Sequence, residues 1–114
     1  MRERRQFPRI PQVFQVQFRP FGQLMESWCE VIMRNLSAGG IRFRHAEPLD
    51  VGSILELQMQ LPTDPQPLIL QGRVVWSQLQ ASGASENGIE FLEVTPEQRA
   101  RIDRMVQFLQ RPNA

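Results

Sequence analysis

Hydrophobic and polar residues alternate through most of this chain, and the period changes only near its C-terminal end. From Val13 the period is two: Phe14, Val16 and Phe18 alternate with Gln15 and Gln17, which predicts a strand half-buried through its phenylalanine face. After the turn RPFGQ the alternation resumes from Leu24 to Arg34. Its smaller, more apolar face (Met25, Ser27, Cys29, Val31, Met33) is placed inward. Ile41 and Phe43 then oppose Arg42 and Arg44 on a third strand. Leu55, Leu57, Met59 and Leu61, separated by Glu56, Gln58 and Gln60, give the cleanest strand of all. Leu68, Leu70, Val74 and Trp76 define a long fifth strand with Gly72 at a bulge or bend, and Ile89 and Phe91 mark a sixth.

At Thr95 the pattern turns helical. Thr95-Pro96-Glu97-Gln98 combines an N-cap, a proline at the first helical position and a capping-box glutamine. Ile102, Met105, Val106 and Leu109 follow as one apolar stripe. Six short strands and one terminal helix predict an all-β fold, a six-stranded antiparallel β-barrel with a C-terminal α-helix, because a closed sheet leaves no exposed edge. At 114 residues the chain reads as a single domain. Within it, 1–12 is expected to be a flexible arginine-rich arm, 13–94 the barrel and 95–110 the helix.

Composition adds mainly the distribution of charge. The 41% hydrophobic and 22% charged residues are ordinary for a globular domain. No run reaches the roughly 18 apolar residues of a membrane span, and Arg2–Arg5 does not lead into a signal-peptide core. With one cysteine, Cys29, and so no internal disulfide, a soluble cytoplasmic domain is expected. All 13 basic residues are arginine, and the net charge of +1 conceals an asymmetry. Residues 1–45 carry eight arginines against Glu3, Glu26 and Glu30; the remainder is net acidic. A charge this localised suits a compact anionic ligand better than a broad DNA-binding face.

Catalytic chemistry finds few supports in this sequence. His45 stands alone after a strand, with no cysteine or second histidine at ligand spacing, so it reads as a solvated strand-end residue rather than a zinc ligand. Cys29 reads as a small buried hydrophobe. Ser37 lacks a nucleophile-elbow pattern, and a lysine-dependent phosphate loop is impossible here. The chain is therefore not expected to be an enzyme, nor to need a metal or cofactor.

Two segments remain. Arg4, Arg5 and Arg9 surround Pro8, and Pro11 follows, which makes the N-terminal segment extended rather than helical. Arginine's planar fork pairs with phosphate oxygens or with the O6/N7 edge of guanine, and its flat face stacks on bases. Later comes NLSAGG, in which Asn35 offers a donor and an acceptor and Ser37 a hydroxyl. Gly39 and Gly40 there permit positive φ and close approach of an anion to the backbone.

Together these segments resemble the paired signature of the PilZ domain family, bacterial receptors for cyclic di-GMP. Arg5-Gln-Phe-Pro-Arg9 matches its RxxxR element and Asn35-Leu-Ser37-Ala-Gly-Gly40 its [D/N]xSxxG element, while Gly88–Phe91 is similar to its last-strand signature. The resemblance implies that Arg5 and Arg9 grip guanine edges and phosphates, that Asn35 and Ser37 recognise a guanine edge, and that Gly40 keeps the turn shaped for close approach. It also implies that Arg4, directly before the first motif arginine, favours two intercalated ligand molecules per chain. Trp76 is placed near the ligand or in rim packing. Asparagine at 35 is the one departure, since aspartate is commoner there. Beyond cyclic di-GMP, an unidentified downstream protein is the expected partner, in motility or biofilm control, with no membrane span and no DNA.

Two rivals accompany this reading. One keeps the fold but makes it a protein-interaction module that does not bind the nucleotide. The other is a small barrel binding single-stranded nucleic acid, which would need aromatics exposed on a strand face beside basic residues.

Overall fold

The structure is a computed structural model that describes residues 15–60 and 65–110. Six strands, β1 (Gln15–Pro20), β2 (Cys29–Leu36), β3 (Gly40–His45), β4 (Ile54–Met59), β5 (Leu68–Leu79) and β6 (Ser85–Leu92), precede one helix, α1 (Pro96–Gln110). The strands close into an antiparallel barrel in the order β1-β2-β3-β6-β5-β4. Inward positions follow the period of two. Val16 and Phe18 on β1, Leu55, Leu57 and Met59 on β4, and Ile89 and Phe91 on β6 are buried, together with Phe43, whose ring stacks on Phe18 at 5.3 Å.

The helix forms as its residues dictate. Gln98 N–H donates to Thr95 Oγ1 at 3.1 Å while Thr95 N–H donates to Gln98 Oε1 at 3.0 Å, a reciprocal capping box. Its apolar stripe then adds Ile102 and Met105 to the barrel core, with Val106 and Leu109 packed against it. Burying two such side chains contributes about 1.5–3 kcal/mol each.

The second strand corrects the expectation at its start. It begins at Cys29, not Leu24, and Met25 is 97% exposed. Prolonging the alternation back to Leu24 fails because the chain turns there instead: Gln23 N–H donates to Pro20 O and Glu26 N–H to Gln23 O. Trp28 lies beside this loop under the guanidinium of Arg19, 4.2 Å from its ring, and Arg19 Nε donates to Glu56 Oε1 at 2.9 Å.

Gly72 is no bulge either. It keeps regular register between Leu55 and Phe91, and a Cβ there would come within 2.5 Å of Ile89 Cγ2. The glycine is needed because side chains from the two neighbouring strands, Ile89 on β6 and Leu57 on β4, already fill the space over it. The irregularity in β5 lies three residues later, between Val74 and Trp76, and a second lies in β2 between Met33 and Asn35.

Candidate functional site

A β-bulge inserts one extra residue, so that every position beyond it changes face. In β2 the inward positions run Val31, Met33 and then Leu36, leaving Arg34 and Asn35 both exposed. Without the bulge, Asn35 would point into the core. In β5 they run Leu68, Leu70, Gly72 and Val74, and the bulge then leaves Val75 and Trp76 outside. Trp76, whose spacing alone would place it inside, is 39% exposed.

Strand register joins these two residues. Asn35 lies opposite Arg42, Arg42 opposite Gly88, and Gly88 opposite Trp76. One outward-facing row therefore crosses β2, β3, β6 and β5, roughly 15 Å along the sheet at about 5 Å per step. Gly88 must be glycine for this arrangement, since a Cβ would stand 2.2 Å from Trp76 Nε1. The indole lies across bare backbone.

The row floors an open pocket of about 380 Å³, which Asn35, Ser37, Gly39, Gly40 and Trp76 all line. The structure thus brings together every candidate residue from the turn with Trp76. Arg4, Arg5 and Arg9 lie outside the described residues. Arg42, which also lines the pocket, is the residue that sequence reading missed; it registered only as the polar face of β3. The signal available was its place on the outward face, two residues past the motif glycine.

Within the turn, the polar groups differ in what they are free to do. Ser37 N–H donates to Gly40 O at 2.9 Å, Gly39 N–H donates to Ser37 Oγ at 3.3 Å, and that hydroxyl lies 3.4 Å from Gly40 O. Ser37 therefore shapes the loop with its own hydroxyl. Asn35 forms no side-chain hydrogen bond among the described residues, so its amide can donate and accept elsewhere. The glycines act otherwise than expected. Neither Gly39 nor Gly40 has positive φ. A Cβ on Gly40 would stand 2.1 Å from Ile89 O, so this glycine permits the close approach of β3 to β6. Gly39 has open space around it.

His45 and Cys29 also depart from expectation. His45 is half-buried, edge-on to Phe18 at 5.2 Å, and the Cys29 thiol lies 3.8 Å from its Nδ1. Two residues sixteen positions apart meet because β2 and β3 are neighbours in the barrel. Burial pushes the Cys29 thiol above its ordinary pKa. Among the described residues no group of three histidine, cysteine or acidic side chains is placed to hold a metal ion. No described helix is long and apolar enough to cross a membrane.

Comparison with known proteins accords with this fold. Several solved structures share the fold, the following three among them. The PilZ domain of CeSA from a cellulose-synthesizing bacterium aligns at TM-score 0.62 and 19% identity, over 90% of this chain and 97% of that one. The Bacillus subtilis inhibitor of motility (MotI/DgrA) aligns at 0.66 and 21%, over 90% of this chain but 50% of that one. The PilZ domain of YcgR from Escherichia coli, solved with c-di-GMP, aligns at 0.61 and 15%, over 83% and 82%. No curated protein sequence matches significantly. The family model of the PilZ domain matches residues 3–108, nearly the whole length, and the chain belongs to that family.

Proposed function

We propose that this protein is a cytoplasmic receptor for cyclic di-GMP that works by binding rather than by catalysis. The observation that carries the reading is the pair of β-bulges, which turn Asn35 and Trp76 outward onto one pocket shared with Ser37, Gly39 and Gly40. Asn35 offers a free amide to a guanine edge, and Trp76 a flat aromatic face on which a base stacks. Ser37 and Gly40 hold the loop beside them. Arg5 and Arg9 supply the remaining contacts, pairing with the O6/N7 edge of guanine and with phosphate.

In this reading the arginine-rich arm closes over the ligand onto the pocket. The ligand's higher affinity for the closed arrangement supplies the bias between states. Closure changes the surface offered to a downstream protein, which is how the signal leaves the domain. Arg4 favours two ligand molecules per chain.

Isothermal titration of the protein with cyclic di-GMP, beside GTP and a short oligonucleotide, tests this. Selective binding with a stoichiometry near two is expected. Absence of both heat and thermal shift with cyclic di-GMP would overturn the reading and leave a protein-interaction module. Binding to the oligonucleotide that collapses with added salt would mark a nucleic-acid barrel instead.

A further inference from the structure

Arginines on the barrel's outer face mostly have acidic partners. Arg19 pairs with Glu56 at 2.9 Å, Arg44 with Glu86 at 3.2 Å and Arg73 with Glu90 at 3.9 Å. Arg42 does not. It forms no ion pair among the described residues, although it stands between those last two pairs. Glu86 and Glu90 flank Gly88, the residue directly opposite Arg42 on β6, and each pairs with its own arginine, Arg44 and Arg73 respectively. Its neighbours across the strands, Asn35 and Gly88, carry no charge. One exposed guanidinium is thus left without an ion pair on the floor of a pocket that Glu90, held by Arg73 at 3.9 Å, also lines.

Position then assigns it a task. Arg42 occupies the row between Asn35 at one end and Trp76 at the other. A cyclic dinucleotide has its bases at its extremities and its two phosphodiesters between them. With a base against Asn35 and another on Trp76, the negative charge falls over the middle of the row. We infer that Arg42 is a further ligand-binding residue, whose guanidinium takes a phosphodiester oxygen of the bound dinucleotide. This rests on the cyclic di-GMP reading and adds to it a cation from the barrel wall, distinct from those of the arm.

The test compares wild type, Arg42→Gln, Arg42→Lys, Asn35→Ala and Arg34→Gln. Arg34 is exposed on β2 but outside this pocket. Each is titrated with cyclic di-GMP at low and high salt, and the melting temperature without ligand is recorded. Arg42→Gln is expected to weaken binding roughly ten- to hundredfold, as loss of a charged hydrogen bond does. The deficit should shrink as salt rises, because screening weakens the wild-type contact. Arg42→Lys, which keeps the charge without the fork, should fall between, and Arg34→Gln should match wild type. All melting temperatures should agree within a few degrees.

Equal affinity of Arg42→Gln and wild type, with Asn35→Ala impaired, would overturn this inference and leave the receptor reading standing. An equal loss in Arg34→Gln would reduce Arg42 to part of a diffuse field. A salt-independent loss would move its contact from phosphate to a base edge. Failure of wild type to bind at all would remove the receptor reading itself.

Discussion

Asn35 and Asn87 carry the same amide and meet opposite conditions on the two faces of one barrel. Asn87, on the inner face of β6, is 0% exposed. It accepts from Ser77 Oγ at 2.6 Å and donates to Ser85 Oγ at 2.9 Å. Ser85 Oγ in turn donates to Glu47 O at 2.8 Å, and Leu49 N–H donates to Ser77 Oγ. This network ties the segment between β3 and β4 to the β5–β6 pair, and it is satisfied internally. Asn35 sits outside beside a bulge, exposed and without such partners among the described residues. A polar group that the fold has already used holds structure; one that the fold has displayed and left free is available to a ligand. The contrast separates architecture from recognition more sharply than residue type does.

The largest effect should come from breaking the used amide. Asn87→Ala takes the acceptor from the half-buried Ser77 hydroxyl and a donor from the buried Ser85 oxygen, and each unsatisfied buried group costs about 1–3 kcal/mol. A fall in melting temperature of roughly 10 °C is expected for a domain of this size. The fraction that remains folded should bind cyclic di-GMP as wild type does. Weakened binding with an unchanged melting temperature would place Asn87 on the wrong side of the comparison.

Gly40 belongs to both sides. A methyl group there collides with the carbonyl of Ile89, a backbone atom that cannot swing aside. Gly40→Ala should therefore part β3 from β6 at the edge of the pocket. About 1–3 kcal/mol of stability should be lost, as in other overpacked sites, and affinity with it. Gly39→Ala is its control: nothing lies within 4 Å of the added carbon, and stability should barely change. Equal melting temperatures for the two variants would show that the close approach is not needed.

The free amide gives the complementary result. Asn35→Ala should leave stability within about 0.5 kcal/mol, as exposed substitutions do, while cyclic di-GMP affinity drops by about 1–3 kcal/mol for a paired base contact. Ser37→Ala should do some of each, because its hydroxyl serves the turn. About 1 kcal/mol of stability is expected to go with those hydrogen bonds. Differential scanning fluorimetry beside calorimetric titration separates the two. A melting-temperature loss in Asn35→Ala as large as in Ser37→Ala would erase the distinction between them.

These residues also show what the sequence could and could not disclose. Leu55, Leu57 and Met59 announced β4, and Thr95 to Gln98 announced the start of the helix, because both signals are local: a period and a cap. Asn35 and Ser37 stood out through their motif. The direction of Asn35 and Trp76 did not, since it depends on two bulges set by pairing with strands distant in sequence. Trp76 fitted the inward alternation of Leu68, Leu70 and Val74 until the extra residue was counted. Arg42 was hidden for a related reason. An arginine on an outward face is unremarkable until register shows which neighbours have already taken the nearby carboxylates. Leu24 and Met25 erred the other way, since alternation in a loop carries no strand when no neighbour pairs with it.

The smallest expected effect concerns Cys29, a polar group on the used side. Its thiol lies against His45 where β2 begins, and burial raises its pKa above the ordinary 9.0. The folded protein therefore holds that proton at a pH where the unfolded chain has begun to lose it. By linkage, the contribution of the protonated thiol is intact below the unfolded pKa and is lost as pH rises through the folded one. Stability should decline slightly on moving above pH 9. Iodoacetamide reads the same shift directly, because the thiolate is the reacting species. The native protein should be alkylated more slowly than the urea-unfolded chain, and its rate should climb only at higher pH. A native rate equal to or above the unfolded one would mean that the imidazole activates the thiol rather than merely packing beside it. Cys29 would then have to be counted with Asn35 among the groups that the fold leaves free to react.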